Sequence, residues 1–221
     1  MEIKINDKRY ISIGFQCSVP EVLERMNLKH ETLPFDWMLS HPKFVYEMLK
    51  LLLVDKIDIE FLVKEHFFKC EYKSMFQSPE NYIEIETGPA FYNKKYDVIF
   101  PHDDDSEKNT QKYSRRFIRL KELIYDSNIT PVFLYISPSS NEGGNFTIDG
   151  RVIIHDSVNY FNKIFQLIST IRNDFEMIII DGTYIPNLDS LNKKIKYETI
   201  TPKGYLAHIK DDCVGVLNRY K

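Results

Sequence analysis

The hydrophobic pattern of this 221-residue chain changes period along its length. Two runs are continuously apolar, Val132 to Ile136 (VFLYI) and Met177 to Ile180 (MIII). A strand buried on both faces reads this way, so the runs predict neighbouring parallel strands. Between them, Val158 to Asp174 has helical spacing, which predicts a right-handed helical crossover. Near the start, Tyr10 to Gly14 (YISIG) is a short β-branched and aromatic run closed by glycine, and Val19 to Leu28 then turns helical. Ser18 and Glu21 have capping-box spacing, and Pro20 is tolerated in a first helical turn.

Leu33 to Trp37 (LPFDW) reads as a short strand, followed by a helix over about Pro42 to Val54 and another around Ile59 to Phe68. Tyr82 to Glu86 and Ala90 to Phe100 flank Thr87-Gly88-Pro89, a turn signal that predicts an inserted hairpin around 80–101. Asp103 to Asp105 and Ser106 predict the capped start of a helix reaching about Tyr125, since carboxylates favour the exposed amides there. Pro138 to Gly150 reads as a mobile loop, and the tail from Tyr197 as an edge strand. The sum is one α/β domain: a mainly parallel sheet of four or five strands flanked by helices, Rossmann- or flavodoxin-like in three layers, with the hairpin outside its core.

Composition narrows the classes. A net charge of −3 argues against a phosphate-neutralising surface, so no nucleic acid is expected as partner. The longest apolar stretch is far short of the roughly 20 residues of a spanning helix, and Met1 to Tyr10 lacks the order of a secretory leader. Three cysteines at distant positions, without a CxxC pair, suit a reducing compartment, so a cytoplasmic location, no metal and no cofactor are expected.

In a parallel α/β sheet the ligand crevice lies beyond the carboxyl ends of the strands. That selects Phe15 to Ser18, Asp36 and Trp37, Ser137 to Ser140, and Asp181-Gly182. Cys17 is the nucleophilic thiol among them, just before a helix, where the amides favour thiolate and can receive an oxyanion. Structural filling is the competing reading, because free cysteines are often simply buried; Cys70 and Cys213 read as structural. A thiol nucleophile needs a base. His102 stands on a loop beside Asp103; His155 and His208 also neighbour acids, whereas His30, His41 and His66 read as surface or helix-flanking. Asp36, Asp103, Asp181 and Ser137 are the orienting or crevice candidates. Arg115, Arg116 and Arg119 read as a solvated face before an anion clamp.

Ile13-Gly14-Phe15-Gln16-Cys17, the helical residues after them and Leu33-Pro34-Phe35-Asp36-Trp37 resemble the signature of the DUF1796 family, described as papain-like cysteine peptidases of bacteria and large DNA viruses. Phe100-Pro101-His102-Asp103 and Arg116-Phe117-Ile118-Arg119-Leu120 resemble its later blocks, so the similarity is expected from Tyr10 to about Ile180. The resemblance implies Cys17 as nucleophile, His102 as its base, and a papain-like α+β fold as the alternative architecture. The function expected is a cysteine-dependent hydrolase or acyl transferase acting on a peptide, acyl or glycan substrate. The alternatives are an SGNH-like esterase with cysteine in place of serine, or a non-catalytic binding module using the same crevice.

Overall fold

The computed structural model describes residues 7–14, 17–78, 85–137, 145–148, 151–152, 157–182, 187–200 and 207–221. In chain order these form β1 (Asp7–Ser12), α1 (Ser18–Arg25), α2 (Pro42–Leu53), α3 (Ile59–Leu62), β2 (Glu71–Ser78), β3 (Ile85–Asn93), β4 (Val98–Phe100) and α4 (Glu107–Tyr125). They continue with β5 (Ile129–Ser137), β6 (Asn145–Ile148), β7 (Arg151–Val152), α5 (Ser157–Ser169), β8 (Glu176–Asp181), β9 (Lys196–Thr199) and α6 (Ala207–Leu217).

A four-stranded parallel sheet, ordered β1-β5-β8-β9, carries both continuous apolar runs as adjacent strands, with Leu134 opposite Ile178 and Ser137 opposite Asp181. Both its faces are buried. Ile11, Phe133, Tyr135, Met177 and Ile179 join the core that includes α2, α4 and α5. The alternate residues Tyr10, Val132, Leu134, Ile136, Ile178 and Ile180 meet Val19, Val22 and Leu23 of α1 and Cys213, Val216 and Leu217 of α6. This two-sided burial explains why these strands show no alternation. The tail forms the parallel edge strand β9, as expected.

The second sheet departs from the sequence reading. It has five strands, ordered β4-β3-β2-β6-β7, all antiparallel. Thr87-Gly88-Pro89 is no turn: it lies inside β3, and Thr87 is the extra residue of a bulge, because Met75 faces Gly88 while Phe76 faces Glu86. A bulge is where a strand accepts Gly and Pro. The reversal that does occur joins β3 to β4 through residues 94–97, with Asp97 at φ 54° and its carboxylate accepting from Tyr92 Oη. Residues 82–84 of the expected hairpin lie outside the described residues. The expected loop from Pro138 contains β6, paired with β2, and its flanks 138–144 and 149–150 also lie outside them.

The antiparallel sheet is joined to the main core. Val98 and Phe100 are fully buried there, and Phe67 gathers Phe44, Phe100, Tyr113 and Phe117 with ring centroids 4.8 to 5.5 Å apart. Phe67 ends a π-helical turn (Val63–Phe67) that continues α3, and Asn93 Nδ2 closes it by donating to the carbonyls of His66 and Phe67. At the opposite end of the parallel sheet, Arg172 donates to the carbonyls of Ile124, Asp126 and Ile129 and pairs with Asp174. One nearly buried guanidinium thereby satisfies the end of α4 and the start of β5 together.

Candidate functional site

The hydrogen-bond ladder of β1 continues past its last strand residue. Ile13 N donates to Leu134 O at 2.9 Å and Ile136 N to Gly14 O at 3.1 Å, so Gly14 stands at the carboxyl edge of the parallel sheet. Its φ of +104° turns the chain there, a conformation that residues with a Cβ rarely adopt. Ser40 closes over this turn. A Cβ on Gly14 would lie 2.8 Å from Ser40 O, 3.0 Å from Ser40 Oγ and 3.4 Å from Tyr135 Cε2.

Cys17 is the N-cap of α1, and its carbonyl accepts from Glu21 N at 3.1 Å. The expected capping box is not formed, because Ser18 is already the first helical residue and is buried. The Cys17 side chain makes no cap hydrogen bond and is half-buried at the helix start. None of the three cysteines is in a disulfide. Burial pushes the Cys213 thiol up to about 12, with Asp212 adding to it, and burial followed by Asp105 pushes the Cys70 thiol up as well. Neither of those thiols will ionise readily.

The start of α2 lies beside the same turn. His41 is its N-cap, with Pro42 in the first turn. This histidine flanks a helix as expected but is buried, 4% exposed, and its Nε2 donates to the carbonyl of Tyr96. Leu39 and Ile99 exchange backbone hydrogen bonds as an isolated antiparallel bridge. The bridge sets direction: toward Ser40 and His41 the partner chain runs back to Tyr96, and toward Asp36 it runs forward to His102. Further along the edge, buried Asp181 accepts from Tyr197 Oη at 2.5 Å. Tyr135 is pushed above its ordinary range by burial and then by the Asp181 charge. Ser137 is the register partner of Asp181, so these two candidates are brought together by the strands themselves.

Asp36 lies elsewhere. Leu33 to Trp37 is not a strand but a turn in which Asp36 Oδ2 accepts from Leu33 N at 2.9 Å. The residue is 3% exposed, and burial raises its carboxyl to about 6 against the opposing Leu33 amide, Lys29 and Arg116. Asp36 and Asp103 both raise the Tyr113 hydroxyl, after the larger effect of burial. Asp103 uses both oxygens on α4, one for Tyr113 Oη at 2.8 Å and one for Lys112 Nζ. His102 is exposed on the loop before α4. That helix is capped by Ser106 Oγ, and Asp104 accepts from Ser106 N and Asn109 Nδ2, so the acidic run caps as expected. Arg115 and Arg119 are exposed, whereas Arg116 lies over the Tyr113 ring at 4.7 Å. His155 lies outside the described residues.

The sequence reading did not single out Ser40, His41, Tyr135 or Tyr197, which lie around Gly14 and Asp181. Pro42 was the available signal for the first two, because proline in a first turn places the two preceding residues at a helix entrance. Among the described residues, no three His, Cys, Asp or Glu side chains are gathered as a metal would require, and no helix is long and apolar enough to cross a membrane.

A parallel sheet flanked by helices, with a cysteine at the N-cap position of the helix after its first strand, defines an α/β protein with a thiol at a helix start. The family model described as "Putative papain-like cysteine peptidase (DUF1796)" matches residues 8–148, and the chain belongs to that family. The match ends with β6 rather than near Ile180. No curated protein and no solved structure matches the chain.

Proposed function

We propose that the protein is a cysteine-dependent hydrolase or acyl transferase with Cys17 as its nucleophile. The observation that carries this reading is the position of Cys17: half-buried, at the start of α1, just beyond the carboxyl end of β1. A helix N-terminus favours thiolate. The amides of Ser18 and Val19 have no partner within the helix, Pro20 has no N–H, and the two amides are suited to an oxyanion. In the reaction a histidine takes the Sγ proton and sulfur adds to an acyl carbonyl; the family resemblance offers His102 as one candidate for that base, without deciding among the histidines. The proton then passes to the leaving group, and water or an acceptor cleaves the thioester. The substrate is a peptide or other acyl compound.

The fold is read as doubly wound and flavodoxin-like, since helices cover both faces of a parallel sheet, and the whole chain as one domain. A reducing, cytoplasmic setting fits thiol chemistry and cysteines without disulfides.

Iodoacetamide labelling of the native protein, followed at each cysteine by mass spectrometry, tests the reading. Cys17 should label first, and Cys17→Ser should abolish turnover of any peptide or thioester hydrolysed from a substrate panel. Labelling of Cys17 only after denaturation would show it to be a core residue and end the proposal.

A further inference from the structure

We infer that His41, rather than His102, is the base that serves Cys17, an assignment that rests on the thiol reading above and deepens it. Three observations converge. The first is the tautomer. A carbonyl oxygen only accepts, so the hydrogen bond from His41 Nε2 to Tyr96 O fixes the proton of the neutral ring on Nε2 and leaves the Nδ1 lone pair as its basic atom. A catalytic imidazole requires this kind of orientation by a third group, and here a main-chain carbonyl supplies it.

The second observation is position. His41 and Cys17 are the N-caps of α2 and α1, and Ser40, the residue before His41, packs against Gly14, which precedes Cys17 in the chain. Cys17 follows Gly14 by three residues, a span of at most about 11 Å, and His41 directly follows Ser40. His102 lies on the other side of the Leu39–Ile99 bridge, in the direction of Asp36, exposed and next to an Asp103 whose oxygens serve α4.

The third is an unsatisfied donor. Ser40 is fully buried, and among the described residues its Oγ has no hydrogen-bond partner, although it lies against Gly14. Buried hydroxyls normally find partners, and one left without suggests a group that arrives with substrate. A substrate oxygen between the two helix starts would meet Ser40 Oγ as donor while His41 Nδ1 receives the thiol proton. The S–H bond breaks as Nδ1–H forms, the sulfur electron pair enters the bond to carbon, and the imidazolium later returns its proton to the leaving group.

The test is the second-order rate of Cys17 alkylation by iodoacetamide at a fixed near-neutral pH, with urea unfolding of each variant alongside. His41→Gln keeps an N–H donor for Tyr96 but has no basic nitrogen, and should lower the rate at least tenfold. His41→Ala opens a space the size of the lost ring, and added imidazole should restore the rate there but not in His41→Gln. His102→Ala should label like the wild type. A Cys17 that reacts at the wild-type rate in His41→Gln, or that loses its reactivity in His102→Ala instead, overturns the assignment while leaving the thiol reading intact. A Cys17 inert in the folded wild type overturns the thiol reading itself.

Discussion

Gly14 and Ser40 approach so closely that the Cα hydrogen of one occupies space left by the main-chain oxygen and hydroxyl of the other; a Cβ there would lie 2.8 Å from Ser40 O. The first strand can reach its crevice only because position 14 has no side chain. Gly14→Ala should therefore destabilise the protein by about 2 to 4 kcal/mol, summing backbone strain at positive φ and a clash that main chain must relieve. Urea unfolding measures it. A midpoint equal to that of the wild type would mean that the α2 entrance yields at little cost.

Asp36 should make stability fall as pH rises. Its carboxyl is raised from 3.8 to about 6 by burial, so the folded protein holds its proton over a range where the unfolded chain has lost it. The stability it contributes is complete below about pH 4 and is lost as pH climbs through 6, by about 3 kcal/mol from the size of the shift. Asp36→Asn keeps an oxygen for Leu33 N and removes the titration. The variant should gain on the wild type between pH 4 and 7 in parallel denaturation series, and a constant difference across that range would refute the assignment.

Tyr197→Phe should cost about 1 to 3 kcal/mol, because it removes a donor from a carboxylate that has almost no access to water. The 2.5 Å contact to Asp181 is the basis. Thermal and urea unfolding report it, and unchanged stability would show that the other contacts of Asp181 suffice.

Arg172→Lys should destabilise by roughly 2 to 4 kcal/mol despite the retained charge, since an ammonium cannot reach three carbonyls and a carboxylate in one plane. The side chain is only 7% exposed, so water cannot replace what is lost. Equal unfolding midpoints for the two proteins would contradict this.

The parallel sheet was legible because burial on both faces leaves a direct mark, the uninterrupted VFLYI and MIII runs. The helices α2 and α4 were legible from Pro42 and Ser106 at their starts and from spaced apolar positions such as Phe117, Leu120 and Ile124. The antiparallel sheet was not. Gly88-Pro89 has the same composition in a bulge as in a turn, and β6 lies in a polar segment whose strand depends on pairing with residues 76–78 far away in sequence. Leu33 and Phe35 are buried as a strand would bury them, yet Asp36 bends the chain back onto Leu33 N. At the site, Cys17 followed from strand-then-helix order alone. Ser40 and His41 did not, because they are held by Gly14 and Tyr96, both distant in sequence, which no local pattern encodes.

The family match ends at residue 148, yet the wall behind the helix that begins at Cys17 is completed by Ile178, Ile180, Cys213, Val216 and Leu217. The length over which relatives are recognisable and the length that makes a solvent-tight body are thus different quantities in this chain. A segment cut at β6 would retain the thiol, its turn and the Ser40 closure. It would still expose the β5 backbone edge and the apolar side of α1 to water, inviting the self-association that free strand edges bring. The last third of the chain is part of the hydrophobic seal beneath the site, however little of it a family comparison sees.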